Sequence, residues 1–240
     1  MIYRPSASHT WQHCALSLQA PEDTRSKAAA DLGTAAHALL DRCHLLGTLP
    51  HSHIGEVTYK GITVTEEMAD AVQYVIDYVN SYVAAAKGNI EELSEQRVDP
   101  VRILKGVVSA QEAAGTADRV LKTVSARTGT LIDITVIDFK HGLMFVPLEH
   151  ENEEDHVLSR FNPQLMQYLL AAVSESPQTP HTMHIVIIQP RATGDEGPVR
   201  EIEVTREDLE EYRKNLIKRL KSIQKDPVQA KAGQIGRAHV

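Results

Sequence analysis

The chain has 240 residues and a formal net charge of -7 at pH 7. This length is enough for one large domain with a core of its own. The acidic balance argues against a protein that coats nucleic acid through a generally basic surface, but it allows an enzyme that meets DNA through metal ions and a local basic patch. No run is long and apolar enough to span a membrane, and the first residues do not have the pattern of a signal peptide.

The two cysteines, Cys14 and Cys43, are too few for a disulfide framework, a zinc site or an iron–sulfur ligand set. A reducing cytoplasm is therefore the compartment that cysteine use indicates. Cys14 and Trp11 share one face of a short helix predicted over residues 6–17, and core packing is the favoured role of both.

An alanine-rich segment from about residue 24 to residue 46 predicts a second helix, on which Gly33 and His37 lie one turn apart. A glycine inside a helix costs roughly 1 kcal/mol relative to alanine, so Gly33 predicts the close approach of another element. His37 is either a metal ligand or an ordinary core or surface histidine, and its spacing alone favours the ordinary role.

The connection over residues 47–62 contains His51 and His53, whose spacing suits a metal chelate, although we expect both to be exposed. A third helix starting at Thr65 carries an apolar stripe for the core. Three tyrosines beside the stripe are interpreted as core residues rather than as a platform for stacking bases. The stripe comprises Met68, Val72, Val75, Ile76, Val79 and Val83, and the tyrosines are Tyr74, Tyr78 and Tyr82. Alternation over residues 93–98 then predicts a strand.

Residues 115–140 contain two runs rich in β-branched side chains on either side of Ser-Ala-Arg-Thr-Gly-Thr, which predicts a β-hairpin. Alternation puts Asp138 and Lys140 on the same face of the second strand, and the first strand can place Asp118 opposite them. Two carboxylates and an ammonium group in one place suit the binding of a divalent cation and action on a phosphate ester. The alternative is an ordinary hairpin in which Asp138 and Lys140 form a solvated pair.

Residues 149–156 are acidic and include two histidines, which predicts a solvated loop that lies near the hairpin and could gate access to it. Asn162 followed by proline predicts the start of a helix on which Gln164 and Tyr168 share one face. A nearly continuous apolar run over residues 183–191 predicts a strand that is covered on both faces.

Thr205 and Asp208 are close to a capping box and predict the start of the last helix. The end of this helix is the densest basic patch in the sequence, which is either a solvated face or a surface for a phosphate backbone. The patch comprises Arg213, Lys214, Lys218, Arg219, Lys221 and Lys225. The chain from residue 226 onward is predicted to be disordered. Because residues 235–240 match the translation of a common sequencing-adapter read, we expect the natural protein to continue and this end to be artefactual.

Five motifs follow one another along the chain, namely Gly33-x-x-x-His37, Glu95, Gly115-Thr-Ala-Asp118, Asp138-Phe-Lys140-x-Gly142 and Gln164-x-x-x-Tyr168. This set resembles the RecB-like branch of the PD-(D/E)xK nuclease superfamily, and phage and prophage exonucleases in particular. Members also show the Asn-Pro-Gln-Leu-Met helix start and the Gln189-Pro-Arg191 strand end. The resemblance spans residues 6 to about 222. Each motif is weak by itself, and their common order gives the resemblance its specificity.

The resemblance implies an α/β fold with a mixed central β-sheet flanked by helices, which is a restriction-endonuclease-like α-β-β-β-α-β core with N-terminal helical additions. We expect a single domain over residues 1–226. Its helical N-terminal part covers about 6–86 and its sheet core about 92–225, and residues 227–240 form the tail.

In the family, the aspartates matching Asp118 and Asp138 bind Mg²⁺ or Mn²⁺ together with the main-chain carbonyl of the residue matching Phe139. The histidine matching His37 often supplies a further ligand, and Glu95 resembles an additional acid near the site. Without metal, we expect the three carboxylates to repel one another and to resist ionisation.

The same resemblance implies that Lys140 orients the attacking water, and that Gln164 and Tyr168 position the DNA strand. The chain departs from the family in three respects. Its hairpin is longer than usual, residues 149–156 look inserted, and the C-terminal cysteine cluster of many RecB-like relatives is missing, so we expect no iron–sulfur cluster.

The expected function is that of a Mg²⁺- or Mn²⁺-dependent DNA exonuclease that leaves 5′-phosphates, in phage recombination or DNA processing in the cytoplasm of a bacterial host. An endonuclease is the alternative within the same fold. The alternative from another class is a non-catalytic DNA-binding or scaffold member, and the intact Asp118, Asp138 and Lys140 argue against it. DNA is the expected partner, and a phage single-strand annealing protein is a further family expectation.

Overall fold

A mixed β-sheet lies at the centre of the described part of the chain, as predicted, and it has five strands. The computed structural model describes residues 3–13, 17, 27–98, 104, 106–107, 115–150, 158–192 and 196–225. The strands are β1 (Asn89–Val98), β2 (Gly115–Val124), β3 (Leu131–Phe139), β4 (Thr182–Ile188) and β5 (Val199–Glu203), and they lie side by side in that order. The pair β3–β4 is parallel, and the other neighbours are antiparallel.

Helices flank this sheet. They are α1 (Ser8–His13), α2 (Lys27–Leu46), α3 (Glu66–Ala85), α4 (Pro163–Glu175) and α5 (Arg206–Lys225), and short 3₁₀ helices cover Pro5–Ala7, Pro50–His53 and Tyr59–Gly61. From α3 to β4 the elements follow the predicted α-β-β-β-α-β order, so the predicted fold class is confirmed. Within the described ranges, no helix is long and apolar enough to cross a membrane.

The predicted helix starts are set by side-chain caps. The side chain of Asn162 accepts hydrogen bonds from the backbone N–H groups of Gln164 and Leu165, which otherwise lack partners in the first turn. At the start of α5 the pairing is reciprocal. The Asp208 N–H donates to Thr205 Oγ1 at 3.1 Å, and the Thr205 N–H donates to Asp208 Oδ2 at 3.1 Å.

Two hydrophobic cores lie on the two faces of the sheet, and β3 contributes to both. Because side chains alternate along a strand, Ile134 and Val136 belong to one core while Ile137 and Phe139 belong to the other. The first core joins the sheet to α1, α4 and α5 through Trp11, Leu165, Leu169, Tyr212, Leu216 and Leu220. The second joins it to α2 and α3 through Leu39, Leu40, Met68, Val72, Val75 and Val79.

Several sequence expectations need correction. No described residue lies within 4 Å of the position that a Cβ on Gly33 would take, so the described part of the chain does not show the predicted close approach. His53 is buried rather than exposed, because Thr48 and Glu56 hydrogen-bond its two ring nitrogens. Tyr74 is 41% exposed and is not a core residue. Strand β1 begins at Asn89 rather than at residue 93, and β5 was not predicted.

Some expectations fall outside the described residues. These include Cys14, the start of the second helix before Lys27, residues 151–157 of the acidic segment, and the tail from residue 226. Cys43 is described, and it is buried in the core between α2 and α3.

Candidate active site

The candidate active site lies at the end of the sheet where β2 begins and β3 ends. The last paired positions of these antiparallel strands are Arg119 and Ile137. Asp118 and Asp138 are the next residues on the two strands, so the hairpin register brings them to the same place. The Phe139 N–H donates to Asp118 Oδ2 at 2.7 Å, which fixes the Asp118 carboxylate against the end of β3.

Asp138 is the centre of a polar cluster on the side of α4. Its Oδ2 lies 2.8 Å from Lys140 Nζ, and its Oδ1 accepts a hydrogen bond from Gln164 Nε2 at 3.1 Å. Lys140 also donates to Gln164 Oε1 at 3.2 Å, and Gln164 Nε2 lies within hydrogen-bond distance of the Tyr168 hydroxyl. The predicted convergence of Asp138 with Lys140, and of Gln164 with Tyr168, is thus present in the structure.

His37 approaches from the other layer. It stands on α2, where its Nδ1 lies 3.1 Å from Asp118 Oδ1 and its ring packs against Phe139 at a centroid distance of 5.2 Å. Burial by itself would lower the pKa of His37, but the Asp118 carboxylate outweighs it and raises the pKa to about 9. In the absence of metal, His37 is therefore a cation at neutral pH.

Glu95 completes the cluster through an unusual backbone. Its φ of 46° lies in the left-handed region, which costs energy for a residue other than glycine. On either side of it, Ser94 pairs with Arg119 and Gln96 pairs with Ala117. One ligand atom each of His37, Glu95 and Asp118 lie within 4.8 Å of one another.

The environment of Glu95 also disfavours its charge. Burial raises the pKa of Glu95 to about 7, and the negative charges of Asp41 and Asp118 act in the same direction. Because the side chain is still exposed to solvent, screening limits this effect. A nearby cation would restore the ionised form.

From the sequence we expected the two aspartates to repel each other and to resist ionisation. The structure shows this for only one of them. Burial would raise the pKa of Asp118, but the charge and hydrogen bond of His37, with the Phe139 N–H, hold it below its usual value. Burial raises the pKa of Asp138, and the opposing attraction of Lys140 does not cancel this rise because Asp118 adds to it. Each carboxylate thus has a cation of the protein beside it, so the expectation holds for Asp138 and fails for Asp118.

Lys140 keeps its proton in this setting. Burial would lower the pKa of Lys140, but the Asp138 carboxylate raises it above its usual value. A lysine that stays charged donates hydrogen bonds and stabilises negative charge, and it does not act as a base at neutral pH.

The donors in this cluster suit a hard divalent cation. Carboxylate oxygens are the preferred ligands of Mg²⁺ and Mn²⁺, and an imidazole nitrogen is compatible with Mn²⁺. Asp118, Glu95 and His37 have donor atoms close enough to share one ion. Asp138 would join them by exchanging its contact with Lys140, and the main chain of Phe139 lies against Asp118.

Arg119, the residue after Asp118, was not predicted to take part in the site. Its guanidinium is buried, donates to the main-chain oxygen of Asp118 at 2.7 Å, and lies 3.3 Å from Glu92 and 3.5 Å from Asp41. Arg119 therefore stabilises the main chain of β2, while the Asp118 carboxylate contacts His37 instead. Its position directly after Asp118 was visible in the sequence, but its carboxylate partners Glu92 and Asp41 are distant along the chain.

Other predicted candidates do not join this cluster. His51 pairs with Asp70 at 2.8 Å and His53 with Glu56 at 3.0 Å, so the two histidines bind different acids rather than one ion. The lysines of α5 lie on an exposed face of that helix.

Comparison with known proteins identifies a family but no activity. A family model described as "Protein of unknown function (DUF2800)" matches residues 2–234. The match covers nearly the whole chain, so the protein belongs to this family. No curated protein matches the sequence.

Proposed function

We propose that the protein is a Mg²⁺- or Mn²⁺-dependent deoxyribonuclease of the RecB-like PD-(D/E)xK type, acting as an exonuclease that leaves 5′-phosphates. The observation that carries this proposal is the meeting of Asp118, Asp138 and Lys140 at one end of the sheet, with His37 at 3.1 Å from Asp118. The order of the motifs and the α-β-β-β-α-β order of the elements support it.

Hydrolysis of a phosphodiester needs a water in line with the leaving oxygen and stabilisation of the charge that develops on the phosphate. A cation held by Asp118, Asp138 and their neighbours would supply Lewis acidity at the phosphate oxygens. Lys140 would donate a hydrogen bond to the attacking water and orient it. The new bond forms between that water oxygen and phosphorus, and the bond from phosphorus to O3′ breaks. The attacking water gives up one proton to bulk water and O3′ takes one from bulk water, which leaves a 5′-phosphate and a 3′-hydroxyl.

Gln164 would fix the side chains of Lys140 and Asp138 in the positions that they need to contact the substrate. It touches both side chains and stands at the first turn of α4, whose N-terminal end favours an anionic group. Tyr168 is only 4% exposed, so we propose that it holds Gln164 in place and does not contact DNA directly. DNA is the substrate, and we place the reaction in phage recombination or DNA processing in a bacterial cytoplasm.

The test compares linear with covalently closed circular DNA in Mg²⁺, Mn²⁺ and EDTA. We expect linear DNA to be degraded in either metal and not in EDTA, and the circle to resist. Rapid loss of the circle would mean an endonuclease. Loss of neither substrate over a range of metals and DNA forms would reject a nuclease and favour a non-catalytic DNA-binding protein.

A matched pair of variants connects the activity to the cluster. Asp138→Asn should abolish cleavage. Asp133→Asn removes an equally buried carboxylate from the same strand, where Tyr82, Thr182 and His184 bind it far from the cluster. A folded Asp133→Asn protein should keep its activity, and equal loss in both variants would mean that the effect is a general loss of stability.

A further inference from the structure

Two of the most exposed large apolar side chains of the described structure lie three and four residues after the candidate catalytic lysine. Leu143 is 59% exposed and Met144 is 84% exposed. Single exposed apolar residues are common on protein surfaces and need no explanation by themselves. The pair is unusual because the backbone that carries it is firmly held.

The segment of residues 141–148, here called the post-lysine loop, is fixed by buried Gln189. The Gln189 amide Nε2 donates to the carbonyl oxygens of Gly142 at 2.9 Å and Met144 at 2.6 Å. Its Oε1 accepts from the Val146 N–H at 3.1 Å and from Arg200 at 3.0 Å. All four contacts agree on one orientation of the amide, so one side chain holds the loop on both sides of its tip.

Both ends of the post-lysine loop are also fixed by side chains, one from the turn after β4 and one from the start of α4. Arg191 donates to the His141 carbonyl at 2.9 Å, next to Lys140. Asn162, which caps α4, donates from its side chain to the Pro147 carbonyl at 3.1 Å. One end of the loop thus lies next to Lys140, and the other end lies against the N-cap residue of α4, two residues before Gln164.

Distance limits what this tip can touch. Met144 follows Lys140 by four residues, so their Cα atoms lie within about 13 Å of each other. Successive phosphates of one DNA strand are spaced by about 3.4 Å along the helix axis. Bases within about four nucleotides of a phosphate at Lys140 are therefore within reach of Leu143 and Met144.

We propose that Leu143 and Met144 are positioning residues that pack against a nucleobase of the substrate close to the cleaved phosphate. This inference rests on the proposed nuclease function. Apolar side chains such as leucine and methionine pack against or between bases in many DNA complexes, because base faces are largely apolar. The fixed loop lowers the cost of ordering such a contact.

The test is a double-mutant cycle between the tip and the DNA. The full chain carrying Leu143→Ser and Met144→Ser is compared with wild type for binding to linear oligonucleotides in Ca²⁺, which can fill an oxygen site while cleavage is assayed separately in Mg²⁺. Each oligonucleotide has one abasic position, placed in turn at about the first four nucleotides from the cleaved end.

We expect the double variant to bind intact DNA about tenfold more weakly than wild type. At one position, loss of the base should weaken wild type by a similar factor and the variant hardly at all, because the shared contact is already gone. Multiplicative effects at every abasic position, or no weakening by the double variant, would overturn the inference.

A control variant carrying Leu45→Ser and Leu46→Ser removes two adjacent leucines that are 79% and 64% exposed at the end of α2. It should bind every oligonucleotide like wild type. Melting curves show whether each variant is folded. If wild type cleaves DNA and the cycle shows no coupling, the tip inference fails by itself. If wild type neither binds nor cleaves DNA, the proposed function fails and the tip inference fails with it.

Discussion

One carboxamide, that of Gln164, contacts three groups of the candidate site. It donates to Asp138, accepts from Lys140 and lies within hydrogen-bond distance of Tyr168. A substitution there would disturb metal binding and substrate contact together. A substitution of Asp118 tests metal binding more cleanly, because its carboxylate contacts His37 and the main chain of Phe139 and does not contact Gln164.

Asp118→Asn should lower the melting temperature in EDTA near pH 7, because His37 loses its charged partner. The expected loss is about 2 kcal/mol, or about 4–8 °C for a chain of this size. In wild type, Mn²⁺ at a hundredfold excess over its dissociation constant should add about 2.7 kcal/mol. The variant should lose most of this gain, which melting curves with and without Mn²⁺ will show.

Asp70→Asn is the matched control, since Asp70 also pairs with a histidine, at 2.8 Å from His51, but on the exposed surface. It should leave the Mn²⁺ shift unchanged. An Asp118→Asn protein that keeps the full shift would show that Asp118 does not bind the metal.

At the scale of elements, two glycines named in the motifs have opposite surroundings. A Cβ on Gly115, the first residue of β2, would lie 2.6 Å from a carbon of Pro5 and 2.8 Å from a ring carbon of Tyr168. The missing side chain therefore lets the start of β2 lie close to Pro5 and to Tyr168 of α4. A Cβ on Gly33 would meet nothing described within 4 Å.

Substitution by alanine should therefore have opposite signs at these positions. Gly115→Ala forces Pro5 or Tyr168 to move and should destabilise the protein by about 1–3 kcal/mol. Gly33→Ala lies inside α2 and should stabilise it by up to about 1 kcal/mol. Urea denaturation of the two variants measures both values. A loss of stability in Gly33→Ala would mean that the helix needs glycine there for packing.

Features with local causes were predictable from the sequence. The caps at Asn162 and Thr205, the hairpin turn and the buried run of β4 each depend on a few neighbouring residues. The meeting of Asp118 with Asp138 was predictable because the register of a hairpin fixes which residues face each other. The short, largely polar β5 was missed, because its role depends on pairing with β4.

Features that depend on distant partners were not predictable. His53 is buried because Thr48 and Glu56 bind it across a turn of the connection. The left-handed backbone of Glu95 has no glycine or asparagine to indicate it. Asp133, which looked like one more residue of a strand, binds side chains from α3 and β4.

At the scale of the whole molecule, the candidate site joins the two layers on either side of the sheet. His37 comes from the layer of α2 and α3, Gln164 from the layer of α4 and α5, and the aspartates from the sheet between them. The charges of the site are complete only when both layers have docked, so protons and metal at this site report on the stability of the whole fold.

The apo protein should therefore lose stability as the pH rises above neutrality. The pKa of His37 rises from 6.5 to about 9 on folding, so the folded state binds its proton more tightly. This stabilisation is complete below pH 6.5 and disappears as the pH rises through about 9. Because the ring keeps 27% of its surface exposed, we expect about 2 kcal/mol rather than the full shift, or about 4–8 °C.

Metal should weaken this dependence, because His37 must release its proton to bind an ion. Melting temperatures between pH 6 and pH 8.5 should fall in EDTA and fall much less in Mg²⁺. In EDTA they should fall less steeply for His37→Gln than for wild type, because only the shares of Glu95 and His184 remain. His184 is the control, since its hydrogen bond to Asp133 also raises its pKa, and its share of the slope has the same sign. Asp133 and His184 lie away from the cluster, so Mg²⁺ should leave that share unchanged. If the slope keeps its wild-type value in His37→Gln but disappears in His184→Gln, the pH dependence comes from the pair of His184 and Asp133 rather than from His37. The pH dependence would then not support the metal site.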